Sequence, residues 1–77
     1  MIFVYVIKSQ KIKFRYVGIT DNLARRLLEH NFGKNNSTSF YKPFDLIYTE
    51  KYKNYKEARN REKFLKSGQG RKFLDTL

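Results

Sequence analysis

A cysteine-free chain of 77 residues is expected to fold as one small domain, residues 1–77, stabilised by apolar packing, because neither disulfides nor a thiolate zinc site is open to it. Seventeen Lys and Arg against seven Asp and Glu leave a formal charge of +10, which favours a polyanionic partner: DNA, RNA or an acidic membrane. The basic residues run from Lys8 to Lys72 between packed segments rather than along one apolar-faced helix, so nucleic acid is the expected partner and a membrane is not.

Residues 2–7 are an unbroken run of β-branched and aromatic side chains. The run is far shorter than a secretory apolar region or a membrane span, and it predicts a strand covered on both faces. With no signal pattern at the N-terminus and no cysteine, a reducing cytoplasm is the expected location. Residues 8–11 read as a turn and residues 13–19 as a second strand, with Phe14, Tyr16 and Gly18 on one face and Arg15, Val17 and Ile19 on the other. So short a connection predicts an antiparallel hairpin.

Thr20 and Asp21 are N-cap candidates for a helix over about residues 22–31, whose apolar stripe is Leu23, Ala24, Leu27 and Leu28 and which Gly33 ends. Residues 34–42 form a polar Asn/Ser-rich loop, Pro43 bars a helix from the next segment, and residues 44–48 resume as a strand. Asn54 caps a second helix over residues 55–66, stopped by Ser67-Gly68, and residues 70–77 make one last helical turn or two. The order is β-β-α-β-α with that C-terminal addition: an α/β (α+β) fold with a small, largely antiparallel three-stranded sheet flanked by helices.

Four residues apart, Arg26 and His30 share a helix face bordering the Leu23/Leu27 stripe, whereas Arg25 and Glu29 point to solvent. The plainer reading is an arginine snorkelling at a core margin beside an ordinary surface histidine. In the second helix Tyr55, Ala58, Glu62 and Leu65 fall on the apolar face, while Glu57 lies opposite with Lys53 and Arg61 near to neutralise it. An inward Glu62 needs a partner or an ion. One reading is a buried ion pair with Arg26 or another base; the other is a carboxylate for Mg²⁺, which is usually held by only one or two carboxylates.

Tyr5 and Tyr16 are core aromatics by default, but neighbouring strands could bring their two phenols to one cleft. Gly18 marks either a bulge or a close approach. With one His and no Cys, a Cys/His nucleophile and a His-rich zinc site are ruled out, and Gly68-Gln69-Gly70 is too short for a phosphate-binding loop. The loop before Pro43 could stack bases on Phe40 or Tyr41 with Lys34 and Lys42 on phosphates, or simply be solvated.

Taken in order, Phe3-Val4-Tyr5, Tyr16-Val17-Gly18, the segment with Arg25-Arg26-Leu27 and Glu29-His30-Asn31, and Glu57-Ala58 to Arg61-Glu62 resemble the motifs of the GIY-YIG nuclease superfamily, in its small single-domain branch. The resemblance covers nearly the whole chain. Phe3 and Val4 replace the glycine and isoleucine of the first motif, and no counterpart of the C-terminal asparagine of larger members follows Ser67. The resemblance implies a divalent-metal-dependent endonuclease, a hydrolase cutting DNA phosphodiester bonds with one Mg²⁺ or Mn²⁺ on Glu62. It implies Tyr16 as general base or orienter of the attacking water, and Tyr5 as its positioner or a phosphate ligand. Arg26 would stabilise the transition state, and His30 would shuttle a proton or contact phosphate. A tyrosine with a pKa near 10 needs a nearby cation to serve as that base. Two other readings stand beside this one: a basic module of the same fold that binds DNA or RNA without cutting, and a ribonucleoprotein component whose charge serves assembly.

Overall fold

The apolar run near the start of the chain is the middle strand of the sheet in the computed structural model, which describes residues 1–77. The elements are β1 (Ile2–Ser9), β2 (Arg15–Thr20), α1 (Leu23–Asn31), a 3₁₀ turn (Ser39–Tyr41), β3 (Phe44–Tyr52), α2 (Tyr55–Lys66) and α3 (Gly68–Leu74). The strands are antiparallel in the order β2-β1-β3. This is the three-stranded α+β arrangement the sequence predicts, with the C-terminal segment forming a third helix.

Because successive strand residues alternate faces, β1 feeds two cores. Ile2, Val4 and Val6 pack with Val17, Ala58, Leu65 and Leu74 on the α2/α3 side, joined by Tyr48, Tyr52 and Phe73. Tyr5 and Ile7 pack on the other side with Phe44, Phe14, Tyr16, Leu23, Leu27 and Tyr41, beneath α1 and the loop that follows it. Val4, Val6, Ile7 and Leu65 are fully enclosed. Burying side chains of this size stabilises by roughly 1.5–3 kcal/mol each. Between Val6 and Ile7 the pairing with β3 slips, from Tyr48 to Leu46, and the extra Ile47 is a bulge.

The helix stops and starts depart from expectation at particular residues. Asn22, not Thr20 or Asp21, caps α1: its side chain accepts from Arg25 N at 3.0 Å, while Thr20 Oγ1 accepts from Asn22 N at 3.1 Å. Asp21 instead pairs with Arg25. Ala24 and Leu28 of the expected apolar stripe lie exposed, as does Tyr55 of α2, because each helix covers the sheet along a narrower face than its apolar content implies. Asn54 caps α2 as expected. Ser67 ends α2 and also caps α3, its hydroxyl accepting from Gly70 N, so Gly68 opens a helix rather than stopping one. A Cβ on Gly70 would fall on the Phe64 carbonyl oxygen and Leu65 Cα, so the two helices meet backbone to backbone there.

β3 runs on to Tyr52, four residues beyond the predicted 44–48, because Glu50 turns inward where the sequence reads as a charged strand end. Glu50 accepts from both Tyr48 and Tyr52 hydroxyls and takes a two-pronged ion pair from Arg61, Nε–Oε1 2.9 Å and Nη2–Oε2 3.0 Å. Arg61 thus neutralises Glu50 and not the exposed Glu57. Its guanidinium also lies over the Phe64 and Phe73 rings, so one side chain ties α2 and α3 to the sheet edge. Burial alone would raise the Glu50 carboxyl, but the hydrogen bonds from Arg61, Tyr48 and Tyr52 outweigh it and hold it below the usual range. The Tyr52 phenol is pushed up to about 12, first by burial and then by its bond to that carboxylate.

Candidate functional site

The second core is where the predicted residues meet. Tyr5 leaves the middle of β1 with its ring lying over Gly18, its register partner on β2. A Cβ at Gly18 would stand 2.5 Å from Tyr5 Oη, 2.7 Å from Cζ and 3.0 Å from Tyr16 Cε2. Gly18 is therefore a close approach and not a bulge: β1 and β2 pair in unbroken register through it. Room for the Tyr5 phenol is what that position requires.

α1 delivers Arg26 and His30 to the same phenol. Arg26 Nε donates to Tyr5 Oη at 3.3 Å, and Tyr5 Oη lies 2.9 Å from His30 Nε2. The other imidazole nitrogen, Nδ1, is 2.8 Å from Thr38 Oγ1. His30 and Thr38 are completely buried. His30 is thus no ordinary surface histidine, because α1 turns it inward onto the Tyr5 face of the sheet. Tyr16 packs beside the group, its ring centroid 5.1 Å from His30 and 6.3 Å from Tyr5. Phe44 closes the far side of the imidazole edge-on. Asn31, the last residue of α1, fixes that wall by bonding both backbone groups of Phe44 through its side-chain amide.

Arg26 is held at two of its three nitrogens, Nε by Tyr5 and Nη1 by Glu29 at 3.0 Å. Glu29 does not point away to solvent as expected, but folds back onto this cation. Nη2 has no protein partner, and about a third of the side chain is exposed. The bond to Tyr5 is the main reason the guanidinium holds its proton more tightly than usual. Burial raises the Tyr5 phenol, and the neighbouring Tyr16 and the charge of Glu62 add to that against the lowering effect of Arg26. Tyr5 is therefore a protonated phenol at neutral pH. Burial first, and the Arg26 charge second, hold the His30 imidazole below its usual range, so it is neutral there.

Glu62 comes from the opposite side, on α2. Its side chain is 15% exposed, and its carboxylate pairs with Lys66 one turn on, at 3.2 Å. Arg26 is taken by Glu29 and Tyr5, so a buried Arg26–Glu62 pair does not form. Glu62 shares no hydrogen bond with the phenols, Arg26 or His30, yet its charge is felt at Tyr5. No cluster of three or more His, Cys, Asp or Glu side chains is arranged to cage a metal ion. The donor set is one half-buried carboxylate whose lysine is largely exposed, which fits an ion that keeps most of its water, such as Mg²⁺, and not a zinc-type site.

Beside Tyr16 and Lys66 opens a groove of about 890 Å³, with Lys8 and Lys13 on its hairpin side, Arg71 on its helix side and Leu65 in its floor. Of the candidate residues only Tyr16 lines the groove, together with Lys66, the partner of Glu62. No helix is long and apolar enough to cross a membrane. Sequence reading missed Thr38, which sits in a run of Asn and Ser taken for a solvated loop; only the tertiary fold turns its hydroxyl inward. It also missed Glu50, whose strand position carries no sign of the two tyrosines and Arg61 gathered on it.

The GIY-YIG catalytic domain family model matches residues 1–73. The UPF0213 protein CPE1444 of Clostridium perfringens (strain 13 / Type A) is 37% identical over 67 residues, which is 86% of this chain and 71% of that protein. No solved structure matches.

Proposed function

The chain belongs to the GIY-YIG catalytic domain family, and from that premise we propose that it is an endonuclease hydrolysing DNA phosphodiester bonds with one Mg²⁺ or Mn²⁺ held by Glu62. The observation that carries the reading is the bonded set of Arg26, Tyr5 and His30, with Tyr16 against it and the charge of Glu62 reaching it. Arg26 is fixed through Nε and Nη1 while Nη2 has no protein partner on a partly exposed side chain, which leaves it available to a phosphate oxygen.

Each residue has a task set by its surroundings. The Arg26 guanidinium binds a non-bridging phosphate oxygen through Nη2, and its charge offsets the extra negative charge that develops on phosphorus. Tyr5 remains protonated and serves as the mount for Arg26, not as a base. Tyr16, with less of its ring enclosed, orients the water whose oxygen attacks phosphorus as the bond to the leaving oxygen breaks. His30 is walled off from substrate and holds Tyr5 in place. When bound, the divalent ion polarises the phosphate and eases departure of the leaving oxygen. Lys66, whose side chain is largely exposed, can swing into water and leave Glu62 to that ion. Nucleic acid is drawn to the protein by the +10 charge and by the basic groove beside Tyr16.

Glu62→Ala tests the assignment when cleavage and binding are followed on the same labelled DNA. Metal-dependent cutting should disappear while affinity stays level or rises, because an acid has been removed from a basic surface. A variant that cuts at the wild-type rate would rule Glu62 out as the metal residue. Salt-sensitive binding by a wild-type protein that never cuts would favour the non-catalytic module.

A further inference from the structure

We propose that Thr38 is a positioning residue of this centre: its hydroxyl fixes His30 as the Nδ1–H tautomer, which makes Tyr5 donate to His30 and turns the phenol oxygen's lone pairs toward Arg26. The catalytic half of the proposal rests on the nuclease reading above; the tautomer half does not.

Counting protons along the chain leads to it. Arg26 can only donate, so Tyr5 Oη accepts at 3.3 Å. A neutral imidazole carries one N–H, and two arrangements fit the heavy atoms. In the first, Tyr5 O–H donates to His30 Nε2, His30 Nδ1–H donates to Thr38 Oγ1, and Thr38 O–H donates to the Asn35 carbonyl, 3.4 Å away. Every proton then has an acceptor. In the second, Thr38 donates to Nδ1 and His30 Nε2–H donates to Tyr5. Tyr5 Oη would then receive two N–H donors while its own proton, on a side chain 2% exposed, is left without an acceptor. A buried donor without a partner is costly, so the first arrangement prevails.

Its consequence reaches Arg26. A phenol that donates to His30 presents its lone pairs to the guanidinium Nε, and with Glu29 on Nη1 this leaves Nη2 as the outward donor. The Nε2–H tautomer would put His30 N–H and Arg26 N–H in competition for one oxygen and loosen the arginine. Thr38 is well placed to prevent that. It is fully buried, and its backbone N–H and side chain both bond to Asn35 O. Asn35 Oδ1 in turn accepts from Ser37 N and Oγ, which ties the loop to itself.

The test compares Thr38→Val, which keeps the shape without the hydroxyl, with Thr38→Ser, which restores it. The His30 tautomer is read from imidazole ¹⁵N shifts at neutral pH in the full chain, without metal or DNA. Wild type and Thr38→Ser should show a protonated Nδ1 and an unprotonated Nε2, and Thr38→Val should shift toward the other tautomer or a mixture. Cleavage by Thr38→Val should fall about 10- to 100-fold in kcat with KM within about twofold, and Thr38→Ser should recover most of the loss. An Nε2-protonated wild type, or equal kcat in the wild type and Thr38→Val, would overturn the proposal. Should Thr38→Val fail to fold, the wild-type and Thr38→Ser spectra decide the tautomer on their own. A wild type that shows the stated tautomer but cuts nothing would refute the nuclease reading and the catalytic role of Thr38, and leave the hydrogen-bond assignment standing.

Discussion

Gly18→Ala is the smallest change that should damage both the fold and the site. The added methyl would stand 2.5 Å from Tyr5 Oη and 2.7 Å from Cζ, where ordinary contact needs close to 3.5 Å, so the ring must move by about an ångström. It has little room to do so, since Tyr5 is 2% exposed and held between Gly18, Tyr16 and His30. Overpacking of this kind costs roughly 1–3 kcal/mol. Moving the phenol also strands the buried acceptor on His30, for about 1–3 kcal/mol more. Against this, replacing Gly by Ala restricts the unfolded chain and returns about 0.4–1 kcal/mol, because Gly18 is not at positive φ. The net expectation is a loss of about 3 kcal/mol in urea unfolding at neutral pH. The mechanism is checked by a double-mutant cycle with Tyr5→Phe, which removes the atom closest to the new methyl. In that background the Gly18→Ala penalty should shrink by about 1 kcal/mol or more. A single-variant loss below about 0.5 kcal/mol, or strictly additive variants, would show that the phenol does not occupy the space over Gly18.

Other consequences follow from the same geometry. Glu50→Gln should cost about 2 kcal/mol, discounted for the partial exposure of Arg61, and in an ultraviolet titration Tyr52 should ionise at a lower pH than in the wild type. The unfolded chain protonates its histidine near pH 6.5, whereas burial and Arg26 hold His30 lower in the folded state. The unfolded state therefore binds more protons in that window, so stability is full above about pH 6.5 and falls as pH drops through the lowered folded value. His30→Gln should flatten that part of the pH–stability curve, and an unchanged curve would mean the imidazole titrates freely. Arg26→Ala should slow cleavage by the equivalent of about 2–4 kcal/mol with little effect on affinity, whereas a loss confined to binding would make Arg26 a grip rather than a catalyst.

The elements were legible because their signals are local: an apolar run, a hairpin spacing, Asn54 before a periodic segment. The same holds for Arg26 and His30, four apart on one helix face. What the sequence could not supply is which of several possible partners a side chain takes once the chain is folded. Asn22 outcompetes Thr20 and Asp21 as a cap because Thr20 is already engaged in holding Asn22. Glu29, at a position that looks solvent-facing, is drawn back by Arg26. Thr38 and Glu50 gain their roles only when residues 8 and 11 positions away are folded onto them. Sequence periodicity has no term for such choices: of the bases open to Glu62 it takes Lys66, one turn away, while Arg26 is already committed to Glu29 and Tyr5.

The most direct test incubates the purified protein with labelled single-stranded, duplex and branched DNA, each with Mg²⁺, with Mn²⁺ or with EDTA. At least one substrate should be cut with either ion present, and cutting should stop when EDTA removes it. Equal cleavage in EDTA, or intact DNA in every lane despite firm binding, would contradict a metal-dependent nuclease built on the Tyr5, Arg26 and Glu62 arrangement.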